Sequence, residues 1–283
     1  MEYAQKHSNP VPGVHVEIVN FFLPCPLLAK CGIFYSKTLL KYSSLEVLPM
    51  KNTTIPVDLR QLRLRKINEP EYRHFKLLLY WPIYGLLFLF VERFYPVQSY
   101  FSVWCPLDDR IPFLELFLIP YLFWFVYLVG MLLYSALYDP ACFRKLMYEI
   151  MITYTCAILV YLIWPTCQNL RPETFERDNF LTWFMGNFYR MDTNTNVCPS
   201  IHVLGSLAVM NAGLHCQRLS KKRWKIGFPV AAVLICVSTV FVKQHSVLDV
   251  LAALPVALVA YLVVYKLPLR KSKRETVPEG CRC

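Results

Sequence analysis

Charge is what this chain lacks most. Only 17% of its 283 residues are Asp, Glu, Lys or Arg, against about 25% in a soluble domain. With 56% hydrophobic residues and a mean hydropathy of +0.37, that shortage excludes an ordinary water-soluble globule. Zinc-like cysteine pairs are absent too. The 11 cysteines contain no C-x-x-C, only the C-x-C of Cys281 and Cys283. Cys156, Cys216 and Cys236 fall in or beside apolar runs and read as packing residues. Cys105, Cys167 and Cys198 fall in loops, where a disulfide is open but unassigned. The amino-terminal region has neither the basic start nor the small-residue cleavage site of a signal peptide.

What is present is a set of long apolar runs, and the chain reads as an all-α, polytopic six-transmembrane-helix bundle. The spans run roughly Phe75–Val91, Ile111–Tyr138, Leu146–Pro165, Ile201–His215, Ile226–Val242 and Ser246–Tyr265. Most approach the ~20 residues that cross ~30 Å of hydrocarbon. In lipid every backbone group must bond internally, and runs of this length do so as helices. Residues 1–74 read as an amino-terminal cytoplasmic segment, 75–266 as the membrane domain and 267–283 as a basic cytoplasmic tail. Within the first segment, Ile18–Tyr35 is apolar but broken by Asn20, Pro24, Pro26 and Lys30. Residues 1–49 read as a poorly ordered extension or as untranslated upstream sequence.

The net charge of +11 invites a nucleic-acid reading, but its distribution argues otherwise. Arg60, Arg63, Arg65, Lys66, Arg73 and Lys76 stand before or at the start of the first span. Arg144 and Lys145 fall between the second and third, and Arg218, Lys221, Lys222, Arg223 and Lys225 between the fourth and fifth. Lys266, Arg270, Lys271, Lys273 and Arg274 follow the sixth. Basic residues thus mark every second loop, which fits both termini inside. The expected partners are a bilayer and a lipid, with no nucleic acid.

Three clusters then share the outer face. They are Arg171-Pro172, Pro199-Ser200-Ile201-His202 and Lys243-Gln244-His245-Ser246-Val247-Leu248-Asp249. Ionisable groups near lipid are costly and mark function by default. Arg forks match phosphate oxygens, and helix N-termini offer free N–H groups to an anion. His245 and Asp249, four residues apart, share a helix face, so the carboxylate can orient the imidazole. The bland readings are an interfacial anchor for Arg171, an N-cap for Ser200, an interhelical polar contact for His202 and a snorkelling Lys243. Asp249, inside an apolar run, is the hardest to dismiss. Glu115 is a weaker candidate, and the aromatic stretch Phe175–Tyr189 reads as an interfacial outer helix.

As a set, these residues resemble the type 2 phosphatidic acid phosphatase and haloperoxidase superfamily. Pro199-Ser200-Ile201-His202 is similar to its P-S-x-H motif, His245 and Asp249 to its H-x-x-x-D motif, and Arg171-Pro172 to the R-P end of its first motif. The K-Q-H-x-x-x-D-V wording most resembles the branch containing inositol phosphorylceramide synthases. The resemblance implies a metal-independent enzyme without cofactors, acting on a phospholipid or lipid phosphate. His245 would be the nucleophile, Asp249 its orienting carboxylate and His202 the proton donor. Arg171 and Ser200 would bind phosphate oxygens, with Lys243 as a substitute cation. Two positions depart from the pattern: Trp164 stands where the family has a Lys, and Thr239 where it usually has an Arg.

The leading expectation is a lipid phosphatase of the plasma membrane with its site on the outer face. The alternative is a phosphotransferase of the inositol phosphorylceramide synthase type. A metal site of His202, His245 and Asp249 would leave Arg171 and Lys243 as unfavourable neighbours. A Ser200 triad lacks the G-x-S-x-G elbow. A transporter fits poorly, because the spans show no clear inverted repeat.

Overall fold

A computed structural model describes residues 57–267. Residues 1–49, the tail from 268 onward, and Cys281 and Cys283 lie outside the described residues.

Among the described residues, five helices are long and apolar enough to cross a membrane: Arg73–Arg93, Glu115–Tyr138, Pro140–Ile163, Lys222–Phe241 and Val247–Lys266. Ile201–His215 is apolar but shorter. In chain order, α1 is Tyr80–Arg93, entered through a 3-10 stretch Arg73–Leu79. A short strand β1 (Phe101–Ser102) and helix α2 (Pro106–Arg110) follow. Then come α3 (Leu118–Tyr138), α4 (Pro140–Ile163) and β2 (Thr166–Cys167), which pairs in parallel with β1. The chain continues through α5 (Phe180–Met191), α6 (Ile201–His215), α7 (Lys222–Phe241) and α8 (Val247–Tyr261). A π turn, Leu262–Lys266, extends α8.

The boundaries differ from the hydropathy reading where caps override it. α4 begins at Pro140 rather than Leu146. The Asp139 side chain accepts the Cys142 amide at 3.0 Å, and proline suits the first helical position. Arg144 and Lys145 therefore stand in the first turns of α4, not in a loop, and Asp139 alone separates α3 from α4. Residues 111–114 do not join α3, because the Leu114 amide turns aside to the Phe241 carbonyl. Helix α5 starts at Phe180 rather than Phe175, where the Asn179 side chain caps the Leu181 and Thr182 amides.

The shorter helix α6 is the centre of the bundle. Val203, Leu204, Gly205, Ser206, Ala208, Val209, Ala212 and Gly213 are all buried, leaving no polar face. It packs against α3, α4, α7 and α8. Small residues allow this close approach. A Cβ on Gly205 would sit 2.5 Å from Tyr154 Oη, and one on Gly213 would sit 2.5 Å from Phe228 Cδ2. The packing fixes the start of α6, and with it Ser200 and His202, against α3 and α8.

Candidate active site

Ser200 caps α6. It is fully buried, its Oγ accepts the Val203 amide at 3.4 Å, and its own amide donates to the Asp249 carbonyl at 3.3 Å. Tyr161 Oη donates to the Pro199 carbonyl at 2.7 Å from the end of α4. His202 follows in the first turn. Its ring packs against Tyr121 and Trp124 of α3, with centroid separations of 4.8 and 4.5 Å.

The second imidazole comes from the turn between α7 and α8. Lys243 adopts φ 52°, a left-handed conformation that non-glycine residues hold at a cost of about 1–2 kcal/mol. Bonds on three sides hold it there. The Gln244 and His245 amides both donate to the Thr239 carbonyl, Gln168 Nε2 donates to the Lys243 carbonyl at 3.0 Å, and Tyr189 Oη donates to the Val242 carbonyl at 2.6 Å. The turn aims His245 at His202, with 3.2 Å between His202 Nδ1 and His245 Nε2. Behind it, His245 Nδ1 is 3.2 Å from Asp249 Oδ2, which also accepts the Ser246 amide at 2.9 Å. A carboxylate only accepts, so the proton of that bond sits on His245 Nδ1. Nε2 is left with its lone pair toward His202. Asp249 is fully buried and its Oδ1 has no partner among the described residues.

Arg171 lies beside this chain of groups but is heavily engaged. Its Nη1 donates to the Tyr189 and Asp192 carbonyls at 3.1 and 2.9 Å. Its Nη2 faces Asp192 Oδ2, the Thr193 carbonyl at 2.8 Å and Gln244 Oε1 at 2.7 Å. The guanidinium carbon is 4.8 Å from the Tyr189 ring centre, and Nε is buried without a partner among the described residues. Burial pulls the Arg171 pKa below its ordinary range and Asp192 pushes it back up. Burial likewise raises the Asp192 carboxyl, against the pull of Arg171.

The Lys243 ammonium points elsewhere. It donates to the carbonyls of Asp108 (2.7 Å) and Ile111 (2.5 Å) at the end of α2. Burial lowers its pKa, opposed by Asp108 and Asp109. The structure therefore gathers Ser200, His202, His245 and Asp249, sets Arg171 alongside through Gln244, and turns Lys243 toward α2. Glu115 holds α5 instead, accepting from Arg177 at 3.0 Å and Asn179 at 3.4 Å. Trp164 is exposed and Thr239 buried, and neither side chain carries a charge to replace the family's cations. Cys105, Cys167 and Cys198 are free thiols. Burial pushes the Cys198 thiol up to about 12, and neighbouring Asp249 adds to the shift, so it is a poor nucleophile.

Sequence reasoning missed Asp108 and Glu92. Asp108 is fully buried and accepts Ser246 Oγ at 2.6 Å and the Val247 amide at 2.8 Å, tying α2 to the start of α8. Glu92, at the end of α1, gathers Thr193, Thr195 and Asn196. The signal in each case was an acidic side chain in or near the end of a helix, which spacing alone cannot pair with a distant partner.

The fold and this geometry define a helical membrane protein with an Asp–His–His hydrogen-bonded chain at its helix ends. The model of the PAP2 superfamily matches residues 145–273, a segment that takes in Arg171, Ser200, His202, Lys243, His245 and Asp249. It reaches neither α1 nor α3, and it does not distinguish the inositol phosphorylceramide synthase-related branch from the rest of the superfamily. No curated protein and no solved structure matches the chain.

Proposed function

We propose that this protein is a membrane lipid phosphatase that works through a phosphohistidine at His245. The observation carrying this reading is the continuous chain Asp249 Oδ2, His245 Nδ1, His245 Nε2, His202 Nδ1, with both bonds at 3.2 Å. The PAP2-superfamily match of residues 145–273 supports it.

Asp249 holds the Nδ1 proton, so the Nε2 lone pair attacks phosphorus. The substrate phosphate takes the place of the His202–His245 hydrogen bond. As the P–N bond forms and the P–O bond breaks, the leaving alkoxide takes a proton from His202. Asp249 then faces an imidazolium-like ring and stabilises it. Water, deprotonated by His202, attacks the phosphohistidine and releases phosphate. Ser200 Oγ, the first α6 amides and Arg171 Nε are the donors suited to phosphate oxygens. Lys243 serves by fixing the turn that carries His245. We read α6 as a sixth crossing. At 15 residues it spans about 22 Å, but neighbouring helices enclose it, so its length need not match the lipid. An outer-face site and cytoplasmic termini remain part of this reading, resting on the alternating basic loops.

One observation favours a second reading, transfer of a phosphodiester head group to a lipid alcohol. Both Arg171 Nη atoms are taken by protein acceptors and Lys243 is turned toward α2. So few cations suit a monoanionic diester better than a dianionic monoester. Purified protein incubated with labelled phosphatidic acid, diacylglycerol pyrophosphate and phosphatidylinositol separates the two. Hydrolysis releases free phosphate, whereas transfer makes a new labelled lipid. Turnover that survives His245→Ala would defeat both.

A further inference from the structure

The other end of α6 carries a second cluster that phosphoryl transfer does not use. Asp139, Cys142 and Cys216 bring one carboxylate oxygen and two sulfurs within 4.8 Å of one another. Cys216 follows α6 and Cys142 lies in the first turn of α4, so two helices contribute. Both cysteines are buried and Asp139 is half-buried. Asp139 divides its work between its oxygens. Oδ1 caps the Cys142 amide at 3.0 Å, while Oδ2 faces Cys216 Sγ at 3.4 Å. Cys142 Sγ faces the Ala212 carbonyl at 3.5 Å and is hydrogen-bonded to the neighbouring Cys216 thiol. Asp139 makes no ion pair among the described residues.

We propose that Asp139, Cys142 and Cys216 bind one thiophilic divalent cation of the zinc class. Tetrahedral zinc with Zn–S of ~2.3 Å and Zn–O of ~2.0 Å needs a sulfur–oxygen edge of about 3.5 Å and a sulfur–sulfur edge of about 3.8 Å. The Cys216–Asp139 separation of 3.4 Å already meets the first. Two thiols and a carboxylate suit a borderline-soft ion, with water in the fourth position. On binding, each thiol gives its proton to solvent, two S–metal bonds and one O–metal bond form, and no electron moves. The carbonyl end of α6 adds a partial negative charge toward the cation. This site is about 24 Å along α6 from Ser200, at the ~1.5 Å rise per helical residue. It would clamp the start of α4 to the end of α6, the two helices whose far ends lead to Arg171 and His202. The inference does not depend on the phosphatase reading.

Cobalt(II) is the probe, titrated into the reduced, tag-free full chain in detergent. The expected result is one equivalent bound, with thiolate-to-cobalt charge-transfer absorption and the intense visible bands of tetrahedral Co(II). Cys142→Ser and Cys216→Ser should each halve the charge-transfer band, and the double variant should abolish it. Asp139→Asn keeps the helix cap, because Asn caps as well as Asp. It should retain the two-thiolate spectrum while weakening affinity by about tenfold or more. Cys281→Ser/Cys283→Ser should leave the spectrum unchanged. Zinc should raise the unfolding temperature of the parent chain but not of the Cys142→Ser/Cys216→Ser variant, which also reports whether that variant folds. No charge-transfer band, a band surviving in the double variant, unchanged affinity in Asp139→Asn, or a Cys142–Cys216 disulfide in the freshly isolated protein would each overturn the proposal.

Discussion

Asp249→Asn separates charge from geometry at the proposed nucleophile. Asp249 Oδ2 accepts from two donors, His245 Nδ1 at 3.2 Å and the Ser246 amide at 2.9 Å, and its Oδ1 has no partner among the described residues. An asparagine in the same rotamer must put its amide oxygen at the Oδ2 position, because the opposite orientation sets an NH₂ against two N–H donors. The His245 Nδ1 proton therefore stays where it is, and the Nε2 lone pair is preserved. What disappears is the negative charge facing the imidazolium-like intermediate. Replacing a charge-assisted hydrogen bond of about 1.5–3 kcal/mol with a neutral one of about 0.5–1.5 kcal/mol removes about 1–2 kcal/mol. The Coulomb attraction of two unit charges at ~4 Å, about 4 kcal/mol at an effective dielectric of ~20, sets the ceiling. At about 1.36 kcal/mol per tenfold, phosphorylation should slow by about 10- to 10³-fold. A lost tautomer would cost about 10⁴-fold. Rapid quench with a radiolabelled aryl phosphate, counting acid-labile, base-stable label on the protein, measures the step directly. A loss near 10⁴-fold, or one below about threefold, would refute the reasoning.

Removing either imidazole should have opposite signatures. His245→Ala should abolish the trapped intermediate with every substrate, whereas His202→Ala should still form it from an aryl phosphate, whose departure needs no proton. Label trapped on His245→Ala but not on His202→Ala would reverse the two roles. Gly205→Ala should lower thermal stability in detergent by about 1–3 kcal/mol, because the new methyl meets Tyr154 Oη at 2.5 Å. Gly227→Ala in α7, with nothing within 4 Å of its Cβ, should be neutral or gain up to about 1 kcal/mol, and equal losses at both sites would contradict the packing at α6. Lys243→Met leaves the Asp108 and Ile111 carbonyls unpaired and should cost about 1–3 kcal/mol of stability. Its KM should shift by less than about threefold, and a KM raised about tenfold or more with stability intact would return Lys243 to the phosphate.

The sequence by itself determined the class of protein and the local parts of the site. Apolar runs reveal helices because lipid leaves the backbone no other way to bond. The His245–Asp249 pair and the Ser200 cap were legible because each depends on spacing within one turn of helix. Start points were less legible. The start of α4 at Pro140 is set by Asp139 and not by hydropathy, which charged Arg144 and Lys145 obscure. Tertiary structure alone decided the rest, because it concerns long-range partners. Whether Arg171 faces open space or five protein acceptors depends on how the loop after α5 returns to it. Which way the Lys243 ammonium turns depends on α2, more than 130 residues earlier, whose carbonyls it meets. That His202 meets His245 follows from α6 packing at the centre of the bundle, where Gly205 and Gly213 admit the side chains of α4 and α7. Hydropathy reports how well a segment suits lipid, but not which neighbours it acquires there. Those neighbours decide which ionisable groups are left to act.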